Sequence, residues 1–133
     1  ITDALAAYGD ALGISFQIAD DLLDYGGASN AMGKNIGDDF RERKMSLPLI
    51  KALAKADDTE MAFWKRTIEK GQQEDGDLKH ALTLMAKHNA LDDTRSDAIH
   101  WANKAKGALA LLPDSDIRDI LLALPDYVVS RAH

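Results

Sequence analysis

Placed at 100° per residue, Leu5, Tyr8, Leu12, Phe16, Ala19 and Leu23 fall on one side of a helix, and Ala11, Ile14, Ile18 and Leu22 widen the apolar arc past half the circumference. A helix this apolar is expected to be mostly buried. The remaining arc carries Asp10, Gln17, Asp20, Asp21 and Asp24, and Gly9 and Gly13 on its edge leave room beside the acids for a ligand. The helix should stop near Tyr25, where Gly26, Gly27, Gly33 and Gly37 mark an ordered loop that runs to Lys44.

The rest of the chain is patterned for further helices. Ser46 as N-cap, with Pro48 in the first turn, predicts a helix through about Lys55, and Asp57 to Thr59 cap another that runs to Lys70 ahead of Gly71. Asp77 to His88 forms a third with Asn89 as its stop. Leu91 to Leu112 forms a long fourth ended by Pro113, and Asp116 to Arg131 a last one that Pro125 should kink or split. No two-residue period persists, so no strands are predicted and the fold class is all-α.

With 133 residues, 46% hydrophobic and 29% charged, the composition suits one globular domain. A net charge of -6 argues against a nucleic-acid or anionic-membrane binder, although local basic clusters still suit phosphates. The absence of cysteine excludes disulfides and thiolate metal sites. No apolar run is long enough for a transmembrane segment and no signal-peptide layout is visible, so a cytoplasmic location is expected. The chain starts at Ile1 in mid-pattern without an initiator Met, as a piece of a longer chain would.

Charge distribution supplies the functional clue. Residues 1–33 contain Asp3, Asp10, Asp20, Asp21 and Asp24 and no Lys or Arg. Asp20 and Asp24, four residues apart, lie about 6 Å apart along the axis, with Asp21 flanking both. A solvated polar stripe is the plain interpretation. A surface stripe usually mixes signs, however, and clustered carboxylates repel more strongly as water is excluded. A divalent cation relieves that repulsion, and hard oxygen ligands without His or Cys suit Mg²⁺ that keeps waters and shares a phosphate ligand. Lys34, Arg41, Arg43 and Lys44 follow, either as a surface loop paired with Asp38, Asp39 and Glu42 or as phosphate contacts. The four histidines show no ligand spacing and are expected at the surface or an interface. Trp64 and Trp101 are expected as packing anchors.

These residues resemble the trans-prenyltransferases that make polyprenyl diphosphates. FQIADDLLD, Phe16 to Asp24, is similar to that family's second aspartate-rich motif, and GKNIGDDFRERKMSLP, Gly33 to Pro48, to its Gly-Lys loop and Lys-x-Thr-Leu-Pro segment. Arg43 stands where Gly commonly precedes the lysine, and Ser46 where Thr is usual. The first aspartate-rich motif, its arginines and the homoallylic site have no counterpart, so the resemblance covers only the C-terminal portion of the enzyme. On that basis 1–48 hold the motif helix and lysine loop and 49–133 the C-terminal helices of one isoprenoid-synthase-type bundle. FWKRTIE, GDLKHAL and the segment from Ala108 to His133 resemble the bacterial octaprenyl and decaprenyl enzymes that make quinone side chains.

The resemblance implies that Asp20, Asp21 and Asp24 hold Mg²⁺ against an allylic diphosphate, with Asp20 and Asp24 foremost. Lys34 and Lys44 would neutralise the departing charge, and Gln17 would hydrogen-bond near the same group. Phe16 has two readings, core packing or the border of the allylic tail. Isopentenyl diphosphate is the implied second substrate, with diphosphate itself accepting the proton, and a homodimer is the implied assembly. Two alternatives remain open: a non-catalytic helical fragment or partner subunit, and a class I terpene cyclase, for which the Lys44 to Pro48 segment is unexpected.

Overall fold

The first apolar stretch forms one helix, α1 (Thr2–Tyr25), and residues 26–36 of the expected glycine loop lie outside the described residues. The structure, a computed structural model, describes residues 2–25 and 37–131. The all-α expectation holds, with no strand among the described residues. After α1 come α2 (Asp38–Arg41), α3 (Leu47–Ala54), α4 (Asp58–Trp64) continued by a π-helical stretch (Lys65–Glu69), α5 (Asp77–Lys87), α6 (Ala90–Ala108) and α7 (Asp116–Ser130). None of these helices is long and apolar enough to cross a membrane. The chain divides into two compact units, Ile1–Asp20 with Arg95–His133, and Asp21–Thr94. The divisions fall inside α1 and α6.

In the first unit, Tyr8, Ala11, Ala105 and Leu109 form a core flanked by Leu12, Trp101, Leu121 and Leu122. The buried face of α1 differs from the hydropathy arc. Leu5, Ile14 and Phe16 are exposed, Phe16 at 45%, whereas Ser15 is fully buried. Small Ala98, Ala102 and Ala105 on α6 are all buried, and the Ser15 hydroxyl donates to the Ala98 carbonyl at 2.8 Å. A polar residue fits a close helix contact once its hydroxyl has an acceptor.

Pro125 is expected to kink or split helix α7; the helix is not split, and Pro125 is buried inside one helical element. Proline lacks the N–H that would bond the carbonyl four residues back, here Leu121. Tyr8 replaces that donor, its hydroxyl bonding the Leu121 oxygen at 2.6 Å. Burial raises the Tyr8 pKa, keeping the phenol protonated as the bond requires. Helix α6 ends at Ala108, before the expected Leu112, because three-residue bonds tighten the chain there: Leu109 N to Lys106 O, Ala110 N to Gly107 O and Leu112 N to Leu109 O.

The second unit has a larger core of Tyr25, Phe40, Leu49, Ala52, Trp64, Ile68, Ala81, Leu84, Met85 and Ala90. Trp64 is its anchor, as expected, and meets Phe63 and Phe40 edge-on with centroids at 5.0 and 6.5 Å. Helix α4 opens with a capping box in which Asp57 accepts from Glu60 N at 2.8 Å and Glu60 reaches back to Asp57 N at 3.3 Å. The Glu60 carboxylate is buried and bonds His88 Nε2 at 2.8 Å and Lys87 Nζ at 3.2 Å. The His88 bond holds its pKa down to about 2, against burial, with help from Asp57 N–H and Lys87. His88 is thus half-buried and structurally engaged, beyond the surface role expected of the histidines. Asn89 takes a left-handed φ of 55° and stops α5 as predicted.

Candidate functional site

Of the three carboxylates of the α1 motif, Asp21 and Asp24 belong to the second unit, and both are buried. Neither is a solvated stripe residue. Asp21 accepts from the backbone N–H of Leu47 at 3.2 Å and from Lys44 Nζ at 3.3 Å. Ser46 occupies the N-cap of α3, but its side chain makes no capping bond, so Asp21 caps that helix from a distant point of the chain. Asp24 does the same for α2, accepting from Asp39 N at 3.0 Å, while its carbonyl accepts from Gly37 N at 2.8 Å. Gly37 is at φ 86°, and a Cβ there would meet Leu78 at 2.5 Å, so only glycine fits.

Lys44 therefore sits among carboxylates, with Asp39 Oδ2 also 3.8 Å away. Burial opposes its charge, but the Asp21 bond and the charges of Asp21, Asp39 and Asp24 outweigh it and raise its pKa. Asp39 is raised by burial and by its neighbour Asp24, with Lys44 opposing. Burial, followed by nearby carboxylates and offset only in part by Ser46, pushes the Tyr25 phenol up. The Tyr25 and Ser46 hydroxyls lie side by side without a bond of good geometry.

The backbone that presents Lys44 is a Schellman turn. Arg43 N bonds Phe40 O at 3.0 Å and Lys44 N bonds Asp39 O at 2.8 Å, which places Arg43 at the residue after the C-cap, with φ 64°. Glycine is the usual occupant there, and a side chain costs on the order of 1–2 kcal/mol. The Arg43 guanidinium compensates by donating to the carbonyls of Ile68, at 2.7 Å, and Glu69.

In the first unit, Asp20 accepts from Arg131 Nη2 at 3.1 Å, and the Arg131 guanidinium lies 4.7 Å from the Phe16 ring centroid. Phe16 is half-exposed under that arginine, so core packing is not its role. Gln17 is exposed. A Cβ on Gly9 or Gly13 would touch nothing within 4 Å, in keeping with the room expected along that edge. Lys34 lies outside the described residues.

Among the described residues, no three acidic or histidine side chains are arranged to hold a metal. The reason is local, since Asp21 and Asp24 point oxygens at backbone donors. Asp20 is the open member, its side chain 42% exposed. Asp39 matches the expectation of a partner for the loop cations in its 3.8 Å approach to Lys44, but its backbone bond to Asp24 and the pairing of Arg131 with Asp20 are tertiary contacts that no spacing along the chain encodes.

A family profile described as Polyprenyl synthetase matches residues 1–85, and the chain belongs to that family. It is 37% identical over 128 residues to octaprenyl diphosphate synthase of Haemophilus influenzae, covering 96% of this chain and 39% of that protein. Among solved structures, a decaprenyl diphosphate synthase from Rhodobacter capsulatus is 62% identical with a TM-score of 0.92, covering 98% of this chain and 40% of that one. A polyprenyl synthase from Caulobacter crescentus CB15, complexed with calcium and isoprenyl diphosphate, is 47% identical with a TM-score of 0.89, again over 98% of this chain and 40% of that one. The chain thus spans about two fifths of the length of these relatives.

Proposed function

We propose that this chain is the second-motif portion of a prenyltransferase that elongates an allylic diphosphate with isopentenyl diphosphate to a long-chain all-trans polyprenyl diphosphate. The octaprenyl and decaprenyl relatives support the long-chain class. One observation carries the reading: Asp21 ties the aspartate-rich helix to the Lys-x-Ser-Leu-Pro segment through Lys44 Nζ and Leu47 N. A lysine held among carboxylates stays charged, as a contact for departing diphosphate must.

The donor set, carboxylate oxygens without imidazole or thiolate, fits Mg²⁺. Asp20 is the carboxylate best placed for direct contact because it is the most accessible of the three, and it already takes a cationic partner in Arg131. Asp21 and Asp24 serve chiefly to fix the lysine-bearing segment and would add negative charge beside a metal held by Asp20. When bound, Mg²⁺ supplies charge that stabilises the leaving diphosphate. Lys44, with Lys34, binds the same oxygens, and Gln17 and Phe16 border the allylic group. The allylic C–O bond breaks with its electron pair leaving on diphosphate, the isopentenyl double bond forms the new C–C bond, and a proton passes to diphosphate. A homodimer is the assembly proposed.

The test is product analysis with the full-length protein, an allylic primer, isopentenyl diphosphate and Mg²⁺, read by mass spectrometry. Eight to ten isoprene units are expected from the octaprenyl, nonaprenyl and decaprenyl relatives. Asp20→Ala should lower turnover by roughly 100-fold even at saturating Mg²⁺, and unchanged turnover would remove Asp20 from the metal role. A protein with no turnover that co-purifies with an active homologue would instead be the non-catalytic partner subunit. Light scattering checks the dimer.

A further inference from the structure

Arg43 combines two features with no counterpart at the neighbouring basic residues. Its backbone is in the left-handed region, and its side chain spans to the end of the π-helical stretch. A helix end leaves carbonyls without helical donors, and here each one finds a partner. Lys65 O keeps its π-helical donor Lys70 N, Arg66 O is bonded by Gln72 N, and Thr67 O by Gln73 Nε2 at 3.1 Å. The last two, Ile68 O and Glu69 O, are taken by Arg43. Gln73 Nε2 also donates to Phe40 O at 2.8 Å, a second tie between α2 and the same stretch.

The fit is built from both sides. Gly71 has φ 69°, and a Cβ there would lie 3.0 to 3.2 Å from the Arg43 guanidinium, so glycine provides the passage the side chain occupies. Lysine at position 43 has one point charge on a flexible stem, whereas the planar guanidinium serves two carbonyls at once. The next residue along, Lys44, has its backbone N–H in the same Schellman turn and its ammonium on Asp21.

We propose that Arg43 is a positioning residue for Lys44: the guanidinium anchors an otherwise strained turn to the π-helical stretch and so fixes where Lys44 meets diphosphate. The proposal rests on the function assigned above to Lys44. It does not require Arg43 to touch the ligand.

The experiment measures binding of inorganic diphosphate in the presence of Mg²⁺ to the full-length protein by titration calorimetry, with hydrogen exchange of a peptide covering residues 41–48. Arg43→Gly places the residue preferred in this turn, so folding is retained and the melting temperature serves as the check. The expected result is at least fivefold weaker diphosphate binding, faster exchange of that peptide and intermediate behaviour for Arg43→Lys. In a Lys44→Met background, Arg43→Gly should weaken binding no further, because its effect passes through the lysine. Arg43→Gly within twofold of the parent, with Lys44→Met clearly weakened, would overturn the positioning role and leave the reading of Lys44 intact. An equal loss in the Lys44→Met background would overturn it too, showing that Arg43 acts directly or globally. Unchanged binding in Lys44→Met alone would overturn the diphosphate role of Lys44 and the inference with it.

Discussion

The two units solve the burial problem differently. The second, Asp21–Thr94, is centred on large aromatic and aliphatic side chains and satisfies its buried acids internally: Asp21 and Asp24 on backbone donors, Glu60 on His88 and Lys87, and Asp77 on Arg66 through two 2.9 Å bonds. The first has a core rich in alanine. It also carries the exposed Leu5, Ile14, Phe16, Ile99, Leu111, Ile117, Ile120, Leu124 and Tyr127, whereas the second leaves Met45 and Ile50. Small residues permit close helix contact but bury little area each, so apolar surface is left over. The second unit is accordingly the one that fixes the lysine-bearing segment.

The sharpest way to break this contrast is Trp64→Ala. Loss of the buried indole should cost about 3–5 kcal/mol, read by urea denaturation, with hydrogen exchange locating the loss among residues 21–94. A loss spread evenly over both units would show that they are not separately organised. Next in size is Lys44→Met in the full-length protein, expected to lower turnover by roughly 100-fold, about 2.7 kcal/mol of transition-state stabilisation, with little change in the urea midpoint. Equal losses of activity and stability would make Lys44 a structural residue.

In the first unit, Tyr8→Phe should cost about 1–3 kcal/mol, because it strands the Leu121 carbonyl that Pro125 has already deprived of a donor. A neutral result would show that water satisfies that oxygen. The acid limb of stability distinguishes the second unit again. Glu60 has a native pKa of about 2 against an ordinary 4.5, so its contribution is complete above 4.5 and lost as the pH falls from there through about 2. Melting curves between pH 5 and 2 should be flatter for Glu60→Gln than for the parent, and parallel curves would assign the acid limb elsewhere. The smallest effect is expected from Ile120→Ser, within about 0.5 kcal/mol, since Ile120 is already 62% exposed. A larger loss would mean that something covers that face.

Much of the helical layout was legible. Helix α3 lies between Ser46 and Lys55, and α5 stops at Asn89, because caps and breakers act over a few residues. The short α2 was missed, since its four residues are held by Gly37 and by the Asp24 carboxylate from another segment. The π-helical stretch likewise depends on Arg43 and Gln73 from outside it. In α7 the tyrosine at position 8 supplies the donor that allowed a proline inside the helix, a compensation invisible to local pattern.

By itself the sequence determined the helical class, most element ends, the clustering of three acids on one helix and the basic character of the loop after it. These follow from propensity, capping and charge, which are local. Tertiary structure alone decided which acids are consumed: Asp21 and Asp24 cap helices and Asp21 also pairs with Lys44, whereas Asp20 stays accessible beside Arg131. A carboxylate's role is set by the donors that reach it once water is excluded, and those donors come from residues 15 to 111 positions away along the chain.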